Sequence, residues 1–182
     1  MQLPIVLYGH PVLRKKAKEI QGFDEAMRKL IADMKETLLD KKGLGLAAPQ
    51  INRSVQLFLT NVPATEEEFE QRIGHLRVFI NPKILSHSEE EWLYDEGCLS
   101  VPKLYLPIPR PVTIVVRAQD ETGKEFEETL TGWPARVFCH ENDHLNGVLH
   151  IDRASRSDRQ KIALQLKRME KEFKDYNKQF GE

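Results

Sequence analysis

The segment CHENDH, Cys139 to His144, contains the pattern His-Glu-x-x-His, which restricts the fold more than any other feature of the sequence. Residues four apart share one face of an α-helix, so a helix lets His140 and His144 direct imidazole nitrogens at one metal ion. Glu141 projects from the adjacent helix surface, close enough to reach a metal-bound water without binding the ion, as a general base must. The pattern predicts a helix that carries a metal-dependent hydrolytic site, rather than a coincidence on a solvated helix.

The flanking residues agree with a helix at this position. Pro134 suits a first helical turn, and Asn146 with Gly147 supplies a stop after Leu145. The helix is therefore predicted to begin near Gly132 and to end near Leu145.

A metal site needs a third protein ligand, and the candidates are a carboxylate, His10, His75, His87, His150, Cys98 and Cys139. Cys139 is rotated about 100° around the helix from His140, so its thiol points away from the shared ion and we interpret it as a buried packing residue. Cys98 is the better candidate, because it lies in the turn-like segment DEGCLS outside the helix. Three ligands leave a position open for water, which is typical of a catalytic ion, and these donors suit zinc, iron(II), cobalt or nickel.

The rest of the sequence combines helical and strand patterns. An amphipathic helix is predicted from Phe23 to about Leu39 with Asp24 as its N-cap, and strands are predicted at VQLFLT from Val55 and RVFINP from Arg77. VTIVVRAQ and KEFEETLT flank DETG as a hairpin, and TEEEFEQR is interpreted as a solvated loop or short surface helix. We predict an α+β fold with mixed, mainly antiparallel sheets packed around the central helix that carries His140 and His144.

A long C-terminal amphipathic helix is predicted at about residues 157–178. Ser157 and Gln160 form a capping-box signal at its start. Its apolar stripe, interpreted as packing on the sheet, is formed by Ile162, Leu166, Met169, Phe173, Tyr176 and Phe180.

Composition narrows the class of protein. A chain of 182 residues is expected to form one domain, residues 1–182. Its net charge of -1 argues against a general attraction to nucleic acid or to an anionic membrane. The first residues hold no signal-like or membrane-spanning apolar run, and the two cysteines are interpreted as unpaired. We therefore expect a cytoplasmic protein, or a mature one whose targeting segment is absent. Nothing in the sequence demands more than a monomer.

Three segments together resemble the signature motifs of the peptide deformylases. They are GLGLAAPQ (Gly43 to Gln50), EGCLS (Glu96 to Ser100) and HENDH (His140 to His144). The resemblance extends to GHPVLRKKA, INP, PRP and GWPAR, and covers about residues 5–152, the expected catalytic core. Within this family, the chain resembles the bacterial-type enzymes that have a C-terminal helix.

The resemblance implies an activity and a set of roles. A deformylase removes the formyl group from the initiating N-formylmethionine of nascent chains and releases formate. Cys98, His140 and His144 would be the metal ligands. Glu141 would be the acid and base that takes a proton from the metal-bound water, so that hydroxide attacks the formyl carbon, and later delivers that proton to the departing amine. The Gln50 amide and the Leu99 N–H would stabilise the oxyanion. The implied metal is one Fe²⁺ per chain, with Zn²⁺, Ni²⁺ or Co²⁺ as substitutes.

The resemblance also suggests how substrate is held. Gly45 would let the peptide backbone approach and Leu44 would line its path. Val137 and Trp133 are candidates for the apolar pocket that holds methionine, with a place in the hydrophobic core as the alternative. An Arg110–Asp143 pair is expected either to position the helix or to lie on the surface, and Glu96 to orient the ligand loop or Gln50.

Two positions depart from the family pattern, and two other functions stay open. Many relatives have glutamine at Cys139 and glycine at Lys103; the second departure affects how downstream substrate residues are held.

A zinc peptidase with the same helix motif and a structural metal-binding module are the alternative functions. The C-terminal segment, with nine Lys/Arg against five Asp/Glu from Arg153 onwards, is either a solvated face or a ribosome-docking surface.

Overall fold

The computed structural model describes residues 1–71 and 73–180, except for the side chains of Glu66, Gln179 and Phe180. The α-helices of this part of the chain are α1 (Glu25–Asp40), α2 (Glu66–Gln71), α3 (Trp133–Leu145), α4 (His150–Arg153) and α5 (Arg156–Phe180). The strands are β1 (Gly45–Ala47), β2 (Leu57–Val62), β3 (His75–His87), β4 (Glu91–Cys98), β5 (Val101–Pro111), β6 (Thr113–Gln119) and β7 (Glu125–Thr131). Two 3₁₀ helices lie at Pro11–Arg14 and Ala48–Ile51.

The strands form two antiparallel sheets, which confirms the predicted α+β class. The larger sheet has the order β1-β2-β3-β6-β7, and β4 pairs with β5 in the smaller one. The central helix α3 packs on the larger sheet through Phe138, whose ring makes edge contacts with Phe58 and Phe79 at centroid distances of 5.0 and 5.1 Å. Fully burying each such ring contributes roughly 1.5–3 kcal/mol, so this cluster fixes the helix against the sheet.

Helix α3 lies inside the molecule, and other parts of the chain cover almost all of its surface. Of its thirteen residues, all except Trp133, Pro134 and Asn142 are buried. Gly132 (φ +67°) precedes the helix, Pro134 occupies its first turn and Gly147 (φ +72°) follows it, as predicted. A side chain at Gly147 would collide with the Arg14 carbonyl, so the chain passes close to the N-terminal segment at this turn.

Most of the other predicted elements are confirmed. Helix α1 begins after Asp24, whose carboxylate accepts a hydrogen bond from the Met27 N–H at 2.9 Å. The hairpin is β6–β7, and the predicted strands from Val55 and Arg77 are β2 and β3. Within the acidic segment TEEEFEQR, Glu66–Gln71 forms the short helix α2; Thr65 precedes the helix, and Arg72 lies outside the described residues.

The β4–β5 pair was not predicted, because β5 contains four prolines. Pro107, Pro109 and Pro111 face Asp95, Leu93 and Glu91 in register. Alternate residues of a strand direct their N–H groups to the same side, so prolines spaced by two remove donors only from the side that does not bond to β4. The pattern is compatible with a strand at a sheet edge.

The C-terminal helix begins at Arg156, and its N-cap is Ser155, two residues before the predicted capping residue Ser157. The Ser155 hydroxyl, not that of Ser157, accepts a hydrogen bond from a backbone N–H, that of Asp158, at 3.1 Å. Ile162, Leu166 and Met169 then join an apolar cluster with β5 and the N-terminal segment. Further along, Phe173 contacts the His10 ring. The side chain of Phe180, the last residue of the predicted stripe, lies outside the described residues.

Candidate active site

Among the described residues, Cys98, His140 and His144 form a group with metal-ligand geometry. Their ligand atoms lie within 4.8 Å of one another, and Cys98 Sγ lies 3.3 Å from His144 Nε2. Cys98 ends β4, whereas the histidines lie one turn apart on α3, so two separate elements meet here. One thiol and two imidazoles beside an open cleft fit a tetrahedral ion that keeps one position for water.

Several of the other candidates for a third ligand have other partners or are buried in the core. His10 Nδ1 accepts a hydrogen bond from the Val12 N–H, and His75 pairs with Glu68. Cys139 is buried in the cluster between α3 and the larger sheet, where burial raises the pKa of its thiol to about 11. This placement confirms the interpretation of Cys139 as a packing residue.

His140 is held by a buried carboxylate. Its Nδ1 lies 3.0 Å from Glu96 Oε2, which leaves Nε2 for the cluster with Cys98 and His144. Burial raises the pKa of Glu96, but hydrogen bonds with His140 and Arg110 outweigh it and hold that pKa well below its usual range. Glu96 therefore orients His140, and among the described residues it has no hydrogen bond with Gln50.

The expected Arg110–Asp143 pair exists and is buried, not on the surface. Arg110 donates to Asp143 at 2.6 Å and, through two nitrogens, to Glu96 at 3.0 Å. Arg136 also donates to Glu96, at 2.6 Å, and Arg153 donates to Asp143 at 2.7 Å. These last two arginines were not predicted, although Arg136 lies four residues before His140 and so shares its helix face.

Glu141 lies in a desolvated position next to β1. Its side chain is buried, and Oε2 has no hydrogen-bond partner among the described residues. Burial raises the pKa of this carboxyl to about 7. A β-carbon added to Gly45 would overlap the Glu141 carboxylate, so the glycine makes room for this side chain.

Gln50 is fixed beside Cys98 by its own short turn. Its Oε1 accepts from the Ala47 N–H at 2.8 Å, and its Nε2 lies 3.6 Å from Cys98 Sγ and 3.3 Å from Ser100 Oγ. Ser100, fully buried, was not predicted as a neighbour. Leu99 lies in the turn between β4 and β5, so its backbone is at the edge of the same site.

A cleft of about 490 Å³ connects these groups to solvent. Of the predicted site residues, its lining includes Leu44, Gly45, Gln50, Cys98, Leu99, Trp133, Val137, His140 and Glu141. His144 is almost completely buried behind them. Trp133 belongs to an aromatic cluster with Phe69, Trp92 and Tyr94, three neighbours that were not predicted.

Lys103 lies on the rim of the cleft with an unusual backbone conformation. Its φ is +61°, in the left-handed region that glycine adopts freely. This explains why glycine suits the position, and it identifies the departure as a charged side chain added at the cleft mouth.

A thiol, two imidazoles and a buried glutamate around one cleft define a candidate site of the metal-dependent hydrolase class. A family model described as polypeptide deformylase matches residues 2–160. The peptide deformylase of Rhizorhabdus wittichii is 42% identical over 161 residues, 88% of this chain and 89% of that protein. Peptide deformylase 1B, chloroplastic/mitochondrial, of Arabidopsis thaliana is 40% identical over 173 residues, 95% of this chain and 62% of that protein.

Solved structures agree with these relatives. The peptide deformylase from Thermotoga maritima, at 42% identity, has a TM-score of 0.78 and a match that covers 85% of this chain and 99% of that one. A plant peptide deformylase, at 38% identity, has a TM-score of 0.87 with 99% and 94% covered. The chain belongs to the peptide deformylase family, hydrolases that remove formyl groups from N-terminal methionine. The family indicated by the three motifs is confirmed.

Within the described residues, no helix is both long enough and apolar enough to cross a membrane.

Proposed function

We propose that this chain removes the formyl group from the N-terminal methionine of newly synthesised proteins, releasing formate, with a metal held by Cys98, His140 and His144. The observation that supports this most strongly is the convergence of these three donors beside the cleft in which Glu141 lies buried. A structural ion would call for a fourth protein ligand, and the described residues offer three.

The proposed metal is one Fe²⁺ per chain, with Zn²⁺, Ni²⁺ or Co²⁺ as substitutes. When bound, the ion would polarise the formyl carbonyl and lower the pKa of a water. Glu96 supports this role for His140, because a carboxylate on Nδ1 fixes the ring orientation and makes Nε2 a better donor.

Glu141 is the proposed general acid and base. It would accept the proton of the attacking water and deliver it to the amine that leaves as the C–N bond of the formamide breaks. Its desolvated carboxyl, with a pKa raised to about 7, suits a group that must both take and return a proton near neutral pH.

The Gln50 amide and the Leu99 N–H are the proposed donors to the oxyanion of the tetrahedral intermediate. Gln50 is held on Ala47 and lies against Cys98, so its Nε2 is fixed before substrate arrives. Loss of one such preorganised donor raises a barrier by about 3 kcal/mol.

An extended peptide is the proposed form of the bound substrate. Strand β1 is at the edge of its sheet, and Leu44 and Gly45 line the cleft beside that edge. A peptide could pair with it as an added strand. Val137 and Trp133 then provide apolar surface for the methionine side chain.

Further proposals concern the setting of the reaction. The positive charge of α5 suits docking on the ribosome, where formylated chains emerge, and a monomer in the cytoplasm is the proposed state. Residues 1–182 are proposed to act as a single domain.

The first test is formate release from formyl-Met-Ala-Ser by the Fe²⁺-loaded protein and by Glu141→Gln. The substitution keeps shape but removes the proton acceptor, so we expect a loss of about 10²–10⁴-fold in kcat with unchanged metal content. Full formate release by Glu141→Gln would contradict the general-base role. Release of internal fragments without formate would instead favour the zinc peptidase.

A further inference from the structure

Two unpaired lysines stand at the mouth of the cleft. Lys42 follows α1, and Lys103 lies in β5, on a different segment of the lining. Both are exposed, and neither has an ion pair among the described residues. The neighbouring Lys41 differs, because its ammonium binds Asp40 at 2.9 Å.

The backbone of both lysines is in the left-handed region. In residues 1–71 and 73–180, the non-glycine residues with positive φ are Lys42 (+51°), Asn52 (+59°), Asn81 (+50°) and Lys103 (+61°). Asparagine adopts this region with little strain, but lysine does so rarely. Two such lysines therefore line the same cleft, and strained positions of this kind concentrate at ligand sites.

The other charged groups of the lining do not cancel these two. The Glu96 carboxylate is hydrogen-bonded to Arg110, Arg136 and His140. Glu141 is buried next to Gly45. Among the acidic residues of the lining, Asp95 is exposed. The mouth of the cleft therefore has two positive side chains, Lys42 and Lys103, and one negative side chain, Asp95.

A bound peptide would bring its downstream residues to this mouth. With the formyl group at the Cys98–His140–His144 cluster and methionine against Val137 and Trp133, the following side chains of an extended peptide leave the cleft on alternating sides. We propose that Lys42 and Lys103 make this chain prefer formylmethionyl peptides whose second or third residue is Asp or Glu. This inference rests on the proposed function.

The expected preference is modest because the pairs are exposed. An exposed ion pair changes a binding equilibrium by about two- to fivefold, and added salt screens it. Acidic peptides should therefore exceed their lysine counterparts in kcat/KM by about that factor at low salt, with the ratio falling towards one at high salt.

The experiment compares C-terminally amidated formyl-Met-Glu-Ser and formyl-Met-Ala-Glu with the peptides that carry Lys in place of Glu, and with neutral formyl-Met-Ala-Ser. The metal-loaded enzyme is tested beside Lys42→Glu/Lys103→Glu, which keeps extended side chains at both positions but reverses their charge. Lys16→Glu is the control for altered charge, since Lys16 is exposed and does not line the cleft. Circular dichroism verifies that each variant folds.

Support would be an acidic preference of twofold or more that disappears or reverses in the double variant and persists in Lys16→Glu. Equal or inverted rates in the unaltered enzyme, or a preference that survives the double substitution, would overturn the inference. Absence of formate from every peptide, including the neutral one, would refute the proposed function instead. In that case the charge preference is tested separately by calorimetry, which measures the affinities of the unformylated peptides that carry Glu and of those that carry Lys. An affinity ratio of twofold or more in favour of Glu supports the inference, and a ratio of one or less overturns it.

Discussion

At the scale of single residues, Gly45 and Glu141 form a matched pair. The Glu141 carboxylate occupies the space that a side chain at position 45 would need, and the Glu141 side chain is buried. The sequence suggested Gly45 as a point of approach for substrate backbone. The structure adds a second reason for glycine there, because the acid–base candidate packs directly on it.

Gly45→Ala is therefore expected to lower kcat. The methyl group must displace Glu141, and a shift of about 1 Å in a catalytic group can reduce the rate about 10²-fold. Formate release and metal content should be measured together, since the three atoms nearest to an added β-carbon all belong to Glu141 and none to Cys98, His140 or His144. Gly22→Ala is the matched control, because a β-carbon at Gly22 meets nothing within 4 Å. Equal rates for the two variants would show that Glu141 tolerates the displacement.

Motif spacing together with the resemblance to peptide deformylases predicted the positions that meet in the cleft, but not the polar groups that hold them. The His140/His144 spacing follows from helix geometry, and Cys98 followed from elimination and resemblance. Arg136, Arg153 and Ser100 were missed because each acts through a partner distant in sequence, Glu96, Asp143 or Gln50. A single sequence without a known fold does not show which of these polar side chains are partners.

At the scale of elements, α5 is attached to the N-terminal segment by a titratable contact. The Tyr8 hydroxyl donates to Glu170 at 3.1 Å. Burial, followed by this hydrogen bond, raises the pKa of Tyr8 above its ordinary value of 10.0. The folded protein thus holds the proton more tightly than the unfolded chain, so the contact stabilises fully below pH 10 and is lost as pH rises through the folded pKa.

We therefore expect the thermal midpoint to fall more steeply above pH 10 in the unaltered protein than in Tyr8→Phe, which has no proton to lose. Tyr105→Phe is the control, because Tyr105 is exposed and lies at the cleft, away from α5. Thermal denaturation followed by circular dichroism between pH 8 and pH 11 gives the comparison. If the thermal midpoint had the same pH dependence in all three proteins, the loss of the Tyr8 proton would not weaken the contact with Glu170.

Elements with strong local signals were predictable, and those that depend on a partner were not. Helix α3 has Pro134 at its start and Gly147 beyond its end, and the β6–β7 hairpin has alternating residues with a tight turn. Strand β5 was missed because its prolines argue against a strand until β4 is placed on one side of it. The N-cap of α5 was misplaced by two residues, since Ser155 and Ser157 are both residues of a type that caps helices.

At the scale of the whole molecule, the ligand group joins parts that are far apart in sequence. Cys98 comes from the smaller sheet, while His140 and His144 come from the helix packed on the larger one. A bound ion would fasten the two sheets through α3. Any ligand that binds the folded state alone adds stability, about 2.7 kcal/mol at a hundred times its Kd.

Removing the metal with a chelator should therefore lower the thermal midpoint as well as abolish formate release. For a chain of 182 residues, that stability corresponds to roughly 5–10 °C. Cys98→Ala should have low metal content and show no further drop with chelator, whereas Cys139→Ala should keep the metal-dependent shift. The reverse pattern in these two variants would overturn the choice of ligand.

The aromatic cluster beside the cleft gives this molecule a built-in optical reporter. The chain has two tryptophans, Trp92 and Trp133, and their rings lie 5.1 Å apart beside Tyr94. All indole emission therefore originates at the wall of the candidate site, with no distant tryptophan to dilute it. Occupancy of the cleft can be followed by intrinsic fluorescence, without a label and without turnover.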